Sequence, residues 1–511
     1  MSERRKLHPV YILFGLVNTI QGFLPFLLIA LFKGIEWSEL RWYWYAGPAA
    51  LAAVILVFSF IEWKRFGFWL ETDRIIIRRG SLFRDEKTIY YARIHSVNVE
   101  QPLIQRLLGV AQVKIETPGG NKKADGVLPA LSLAEATRIQ QMLKSHAQRM
   151  AGSGEAETVK PEPITAASGE RPTDSADAAD DTRLVATAVV AADGPAFRLT
   201  SAQLLQAAAT SMNFGLVAAF VAGLYSFADD FIDAMLPEHF FEQVVEDSVS
   251  LMPSYFLIAA IALIGLVFAW LLSVVLYLLK YSGFSVARDG RQITVSYGML
   301  EKKSFVFDPK KVQAVIVKEG MLRQAIGYAE IQLQVISSDK KEQLMLHPFI
   351  KRADVHGALA DFVPQLKLPA SEELKGAPKR ALLYYMRIAL LIVVILCVAL
   401  IVLFKAAGLW SLLLIPLVAA WRLSCHGAAG VLLANGQLTL RRRFIARSTY
   451  LIRRPQIVTM RVNRSSRQQR KKLLSLSVHA LGSPFDYSVA CLDRADVEPV
   501  WRWYSRSHGR E

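Results

Sequence analysis

Cysteine and histidine are scarce and scattered in this chain of 511 residues. Its three cysteines, Cys397, Cys425 and Cys491, include no CxxC pair, which argues against a disulfide framework and a zinc site. The nine histidines lack the spacing of metal ligands, and no GxxxxGK[ST], HExxH or GxSxG motif occurs. We therefore predict no catalytic residues, no metal site, no cofactor and no enzymatic activity.

Acidic residues are also in deficit, with 44 Asp and Glu against 60 Lys and Arg and a formal charge of +16. Such a balance suits either nucleic acid or the anionic face of a bilayer. No RNA-binding or helix-turn-helix pattern accompanies the charge, so we predict no nucleic-acid partner. A hydrophobic content of 53% is high for a soluble protein and points to the phospholipid bilayer as the partner.

Six apolar runs are candidates for membrane helices, which need about 20 apolar residues each. They come as three pairs with brief internal connections: Val10–Phe32, Tyr43–Ile61, Met212–Phe227, Ser254–Leu279, Ile388–Phe404 and Leu409–Trp421. None has Asp, Glu, Lys or Arg near its middle, which argues against proton-coupled transport. Asn18 and Gln21 lie on one face of the first run, where helix association is a better explanation than a substrate pathway.

The orientation follows from the charges at the ends of these runs. The loop after the third run carries seven acidic residues and no Lys or Arg, whereas the opposite ends carry clusters such as Arg4-Arg5-Lys6 and Lys379-Arg380. We therefore expect both termini and every long soluble segment to be cytoplasmic.

A basic, β-rich segment follows each pair of apolar runs. In the first two copies Ile75-Ile76-Ile77, Gly80 and Gly109 recur as Ile293-Thr294-Val295, Gly298 and Gly327, at a constant shift of 218 residues. Each copy has short β-branched runs and one amphipathic C-terminal helix, which predicts a small antiparallel sheet capped by a helix. The predicted strands of the first copy are Phe68–Leu70, Arg74–Arg78, Lys87–Tyr91, Ile94–Val99 and Val110–Thr117, and the predicted helices of the three copies are Ser132–Ser145, Ala353–Leu366 and Asp493–Tyr504. The fold class is thus membrane α-helical hairpins plus α+β domains.

Residues 71–117 carry the pattern of strand, Arg-Gly turn, Arg-Ile-x-Ser-Val strand and Leu-x-x-x-Leu-Gly turn. This pattern resembles the bacterial pleckstrin-homology (PH)-like domain of the second type. The third copy departs from it, with Arg443 and Lys472 where the two glycines would be. The resemblance implies a scaffold in the bacterial plasma (inner) membrane, a smaller single-domain PH-like membrane protein as a partner, and a role in cell-envelope stress.

The repeat divides the chain into seven segments. Membrane hairpins occupy residues 8–63, 203–281 and 381–424, and PH-like domains occupy 64–148, 282–370 and 425–508. Residues 149–195 are rich in acidic residues and lack aromatic ones through most of their length, which predicts a disordered linker. It is either a plain tether or a competitor with anionic lipid for the basic faces. Short connections predict that the three domains form a compact cluster.

Two sets of residues are candidates for binding. The third domain is densely cationic. These charges form a solvated face, hold the domain generally against the membrane or recognise a specific lipid headgroup. The candidate residues are Arg441, Arg442, Arg443, Arg447, Arg461, Arg464, Arg467, Arg470, Lys471 and Lys472. The first two domains keep apolar turns at the same place. These turns either pack to close the sheet, which is the favoured interpretation, or dock on lipid or protein. The candidate residues are Leu103, Ile104, Leu107, Leu108, Met321 and Leu322.

The sequence predicts a non-enzymatic, multi-pass membrane scaffold that presents three cytoplasmic PH-like domains to proteins or to an anionic lipid surface. Two alternatives remain open. A transporter or lipid-moving machine would bring Asn18, Gln21 and Asn213 together on a polar cavity, and a subunit of a larger membrane complex would use the domain edges or the apolar turns. The oligomeric state is left undetermined.

Overall fold

The computed structural model describes residues 4–14, 16–17, 42–80, 85–117, 126–152, 194–211, 254–290, 292–335, 343–483 and 485–505. The α-helices are α1 (Trp42–Arg65), α2 (Leu103–Leu107), α3 (Leu133–Gly152), α4 (Ser201–Thr210), α5 (Ser254–Tyr281), α6 (Met321–Ala325), α7 (Val355–Phe362), α8 (Leu382–Phe404), α9 (Leu414–Ala428), α10 (Ser466–Arg470) and α11 (Arg494–Ser505).

The strands fall into three successive groups. The first comprises β1 (Gly67–Leu70), β2 (Arg74–Arg79), β3 (Asp85–Tyr90), β4 (Ser96–Gln101), β5 (Val110–Glu116) and β6 (Gly126–Ser132). The second comprises β7 (Ala196–Arg198), β8 (Ser285–Asp289), β9 (Gln292–Tyr297), β10 (Lys302–Phe307), β11 (Ala314–Glu319), β12 (Tyr328–Gln334) and β13 (Leu344–Lys351). The third comprises β14 (Lys375–Gly376), β15 (Gly430–Ala434), β16 (Gln437–Arg443), β17 (Arg447–Arg453), β18 (Ile457–Asn463), β19 (Leu473–Ala480) and β20 (Tyr487–Asp493).

Three helical segments of the described residues are long and apolar enough to cross a membrane: Leu263–Tyr281, Lys379–Leu403 and Gly408–Ala428. The second predicted run lies within α1. Most of Val10–Phe32 and all of Met212–Phe227 lie outside the described residues. Helices α8 and α9 lie against each other, and Arg422 Nε of α9 donates to Tyr385 O of α8 (2.7 Å). Cys397 Sγ of α8 donates to Ser411 O (3.1 Å) in the 3₁₀ helix Lys405–Leu413 that precedes α9.

Each domain contains two antiparallel units, which corrects the expectation of a single small sheet. Both units have three strands in the first domain, whereas a short edge strand, β7 or β14, adds a fourth strand to the first unit of the other two domains. We number the strands of each domain from β1, β8 and β15. In the first domain β1–β3 form one sheet and β4–β6 belong to another. A one-turn 3₁₀ helix, Tyr91–Arg93, separates β3 from β4 and redirects the chain, and Pro309–Lys311 and Arg454–Gln456 do the same in the other domains. The sixth strand, absent from the sequence prediction, contains Pro129 in the first domain and lacks a clear β-branched run.

Neighbouring domains share sheets through their edge strands. Strand β4 of the first domain pairs antiparallel with β10 of the second, from Gln101 opposite Lys302 to Ser96 opposite Phe307. Strand β11 pairs with β17 of the third domain in the same way, from Glu319 opposite Arg447 to Ala314 opposite Ile452. Two seven-stranded sheets therefore run through domain boundaries, and the predicted compact cluster of domains is confirmed.

The central strand β11 contributes to two hydrophobic cores at once. Val315 and Val317 belong to the core of the second domain, whereas Ala314 and Ile316 belong to that of the third. Side chains alternate between the two faces of a strand, so a strand buried on both faces needs a continuous apolar run. The sequence Ala-Val-Ile-Val at the start of β11 meets this need.

The boundary between the first two domains is polar by comparison. Asn98 and Glu100 of β4 are buried, with Asn98 Nδ2 3.5 Å from Glu116 Oε1 and Glu100 Oε2 2.5 Å from Lys114 Nζ. Gln140 of α3 connects the two domains, since its Nε2 donates to Val97 O (3.2 Å) and to Ser304 O (3.4 Å). This face of β4 is therefore held by a hydrogen bond and an ion pair rather than by apolar packing, and Asn98 Oδ1 has no partner among the described residues.

Candidate functional site: the membrane-proximal turns

A one-turn helix follows the fourth strand of every domain, at α2, α6 and α10. The residue that ends each turn has a left-handed backbone: Gly109 (φ 67°), Gly327 (φ 73°) and Lys472 (φ 52°). Glycine adopts this conformation without strain, whereas a lysine does so at a cost of about 1 kcal/mol. The third domain thus keeps the turn of the repeat although Lys472 replaces the glycine.

In the third domain this turn lies beside the start of a candidate membrane helix. Tyr384 Oη of α8 donates to Arg467 O of α10 (2.8 Å), and Tyr385 Oη donates to Ala490 O of β20 (2.7 Å). Arg380, just before α8, forms an ion pair with Asp493. These contacts fix α10 at the end of the helix from which the chain would enter the bilayer.

Six of the ten predicted cationic residues form one exposed group around this turn, which we call the basic surface: Arg461, Arg464, Arg467, Arg470, Lys471 and Lys472. A capping box holds the turn, in which Ser465 Oγ accepts from Gln468 N (3.3 Å) and Gln468 Oε1 accepts from Ser465 N (2.8 Å). The basic surface is therefore carried by a locally ordered segment next to α8.

The other four predicted cations bind within the protein. Arg441 Nε donates to Ala428 O (3.0 Å), and Arg442 Nη1 donates to Ser488 Oγ (3.1 Å). Arg443 hydrogen-bonds to Gln324 of the second domain, and Arg447 forms an ion pair with Glu319 across the β11–β17 boundary. Arg447 and Glu319 are both largely buried, so this pair joins domains and is not available to a membrane surface.

The apolar turns of the first two domains are exposed, contrary to the favoured expectation that they pack to close the sheet. In the first domain Leu107 is 79% exposed, Leu103 is 48% exposed and Leu108 is 37% exposed, whereas Ile104 is half-buried. In the second, Met321 is 57% exposed and Leu322 is 44% exposed. Their part in docking stays a prediction. Asn18, Gln21 and Asn213 lie outside the described residues.

Arg323 of α6 is a buried cation that the sequence analysis did not single out. It is 2% exposed and forms an ion pair with Glu330 of β12. Its Nη2 donates to Ala207 O of α4 (3.0 Å) and lies 3.5 Å from Tyr277 Oη of α5. Burial, the largest single effect, lowers the pKa of Arg323, but the attraction of Glu330 and Tyr277 and the hydrogen bonds to both side chains together raise the pKa of the guanidinium. Arg323 thus connects the second domain to α4 and α5.

The repeat itself contains a signal for this pair. At the positions of Arg323 and Glu330, the first domain has Gln105 and Gln112, and the third has Gln468 and Ser475. Only the second copy replaces both neutral residues with opposite charges. A paired replacement of this kind predicts contact between the two side chains, because a single buried charge would be costly.

A cavity of about 560 Å³ adjoins this ion pair, and we call it the junction cavity. It lies between the end of α5, the turn of the second domain and the loop after β16. Its lining includes four cations and one acid: Lys280, Lys318, Arg323, Arg442 and Glu330. Lys318 Nζ is 3.6 Å from Glu330 Oε1, so the single carboxylate faces both Arg323 and Lys318. The excess positive charge and the position beside α5 suit an anionic group at a membrane surface.

Comparison with known proteins agrees with this architecture. The family model described as "Bacterial PH domain" matches residues 12–147, 243–362 and 378–508. The chain belongs to the bacterial PH domain family. Its three bacterial PH domains confirm the repeat and the resemblance inferred from the sequence. The chain is also 25% identical over 520 residues to "UPF0699 transmembrane protein YdbT" of Bacillus subtilis (strain 168), with 99% of each chain covered.

No solved structure matches the chain. The relative is described only as a transmembrane protein, and the bacterial PH domain model is not that of an enzyme family. Among the described residues, no group of three or more His, Cys, Asp or Glu side chains could hold a metal ion. The chain is therefore a membrane protein with three bacterial PH domains.

Proposed function

We propose that the chain is a non-enzymatic scaffold of the bacterial plasma membrane that holds its bacterial PH domains flat against anionic lipid. Six helices in three hairpins anchor it, with both termini and all three domains in the cytoplasm. The setting that we propose is the response to cell-envelope stress. The observation that carries the proposal is the position of the basic surface beside the start of α8.

The strength of such apposition follows from the number of charges. Each Lys or Arg near an anionic surface contributes about 1 kcal/mol, and the attraction decays within a Debye length. Six exposed cations at and beside one turn are enough to hold a domain that is already tethered by α8. The junction cavity supplies a second place for an anionic headgroup, at the end of α5. Both contacts lie where a candidate membrane helix meets a domain.

Amide hydrogen exchange of the full chain in lipid nanodiscs tests the proposal. Nanodiscs of phosphatidylcholine alone are compared with nanodiscs that also contain phosphatidylglycerol. We expect anionic lipid to slow exchange at residues 461–472 and at residues 320–326, because bound headgroups exclude water and restrain the turns. In 1 M salt the effect at 461–472 should vanish, since the Debye length falls to about 3 Å.

The matched variants separate the basic surface from general charge. Arg461, Arg464, Arg467 and Arg470 are changed together to Gln, which removes roughly 4 kcal/mol of attraction. The control changes four exposed cations of the first two domains to Gln: Arg138, Lys310, Lys351 and Lys367. Only the first variant should lose the protection at 461–472, and it should keep that at 320–326. Equal exchange in the two lipid mixtures would contradict the proposal.

A further inference from the structure

The two boundaries between domains use the same pair of strands in the same register. At both boundaries the fourth strand of one domain pairs with the third strand of the next. Glu319 opposite Arg447 occupies the repeat position of Gln101 opposite Lys302, and the five pairs that follow also correspond. Each domain therefore has two different edges for its neighbours. The fourth strand pairs with the domain that follows in the chain, and the third strand pairs with the domain that precedes it.

One edge of each kind is left over in the chain. Among the described residues β3 of the first domain pairs with β2 alone, and β18 of the third domain pairs with β19 alone. Strands β4 and β11, which hold the place of β18 in the other domains, are buried over nearly their whole length. In β18, by contrast, Val458, Thr459, Arg461 and Asn463 are exposed. Such an edge presents main-chain groups that another strand can pair with.

We propose that β18 of one copy of this chain pairs antiparallel with β3 of a second copy, in the register of the two internal boundaries. This register sets Asn463 opposite Asp85 and Val462 opposite Glu86. It needs no other partner, because the two complementary edges belong to the two ends of the same chain. A contact between unlike edges is heterologous, so it joins copies in a row or a ring within the membrane.

Charge supports this pairing. On one face of the joined sheet Asp85 lies diagonal to Arg461, and on the other face Glu86 lies diagonal to Arg464. Diagonal neighbours on paired strands are within reach of long side chains. In the single chain Asp85 and Glu86 contact only the exposed Arg79 and Arg78 among the ion pairs of the described residues. The register also sets like charges opposite each other, as with Lys87 and Arg461.

Disulfide crosslinking in native membranes tests the register. Two full-length variants with different tags are coexpressed, one with Asp85→Cys and one with Asn463→Cys. Residues opposite each other on antiparallel strands have Cα atoms about 4.5–5.5 Å apart, which a disulfide can span. We expect mild oxidation to give a covalent dimer that carries both tags. The native cysteines are all buried, which limits competing crosslinks.

The register control replaces Asp85→Cys with Glu86→Cys. Its side chain points to the opposite face of the strand from that of residue 463, so the dimer should be lost. A second test changes Lys87→Glu, which turns the unfavourable contact with Arg461 into an attraction. We expect the yield of dimer to rise about two- to fivefold at low salt. Lys351→Glu, the same charge change at an exposed residue of β13, should leave the yield unchanged.

Three outcomes would overturn the inference. The first is the absence of a dimer from Asp85→Cys and Asn463→Cys when both proteins match the wild type in thermal stability. The second is an equal yield from the Glu86→Cys control. The third is a crosslink from Asn463→Cys only to a different membrane protein, which would make β18 the edge for another partner.

Discussion

The buried pair of Arg323 and Glu330 offers the sharpest test of how the second domain is attached to its helices. Arg323→Met removes the cation and leaves Glu330 in a site where its side chain is only 10% exposed. Removal of one partner of a buried ion pair costs about 3–5 kcal/mol. Lys318, 3.6 Å from Glu330 Oε1, partly compensates, so we expect a loss near 3 kcal/mol.

The double variant Arg323→Met and Glu330→Met separates burial of a charge from loss of attachment. Because it leaves no unpaired charge in a buried position, the exposed Lys318 aside, it should recover most of the stability lost in the single variant. The remaining loss reports the hydrogen bonds of Arg323 to Ala207 O and Thr210 Oγ1. The two single variants and the double variant form a thermodynamic cycle whose coupling energy we expect to exceed 1 kcal/mol.

Thermal unfolding of the full chain in detergent measures these differences. A loss near 3 kcal/mol corresponds to a Tm lower by roughly 10 °C for a cooperatively unfolding segment of about 150–250 residues. The control is Arg494→Met, which removes an Arg from an exposed ion pair with Glu498 (2.5 Å), and should cost less than about 1 kcal/mol. If Arg323→Met unfolds at the wild-type temperature, the assignment of Arg323 as the connection to α4 and α5 is refuted.

Two further variants test the fold. Burial lowers the pKa of His347, which stacks on Phe197 with ring centroids 3.9 Å apart, from 6.5 to about 4. The unfolded chain therefore binds a proton first as the pH falls from 6.5 to 4, and stability drops by up to roughly 3 kcal/mol. In thermal unfolding at pH 7.5 and 4.5, His347→Phe should show a smaller drop than the wild type; an unchanged drop would contradict this. Gly298 has φ 112°, and a Cβ there would lie 1.9 Å from Glu301 O, so Gly298→Ala should cost more than about 2 kcal/mol. Gly436→Ala, at φ 70° with open space around it, should cost about 1 kcal/mol, and equal losses in the two variants would contradict the steric argument.

Much of the local structure follows from residue pattern alone. The short β-branched runs predict five of the six strands of the first domain to within two residues, because alternation and turn residues act over short distances. Predicted helix starts at Ser132, Ala353 and Asp493 lie within two residues of α3, α7 and α11. The third-domain turn keeps the left-handed backbone of the repeat, at φ 52°, with Lys472 in place of glycine.

In the candidate site, too, the sequence predicts the placement of some cations and not that of others. Arg461 in β18 and Arg464, Arg467 and Arg470 at the turn that follows it are exposed, as expected of charged side chains in a polar segment. Arg443 and Arg447 look alike in sequence but bind Gln324 and Glu319 of the second domain. A pattern of cations cannot separate these groups, because the separation depends on which strand of another domain lies opposite.

The sequence by itself determines that the chain has three copies of one module, each preceded by apolar runs, because repeats and hydrophobic periodicity are properties of the order of residues. Only the tertiary structure decides that the modules share sheets, since pairing between β4 and β10 or between β11 and β17 joins segments about 130–200 residues apart. Main-chain hydrogen bonds carry that pairing, and they leave little trace in side-chain identity. For the same reason, β3 and β18 can be recognised as complementary edges only once the fold is known.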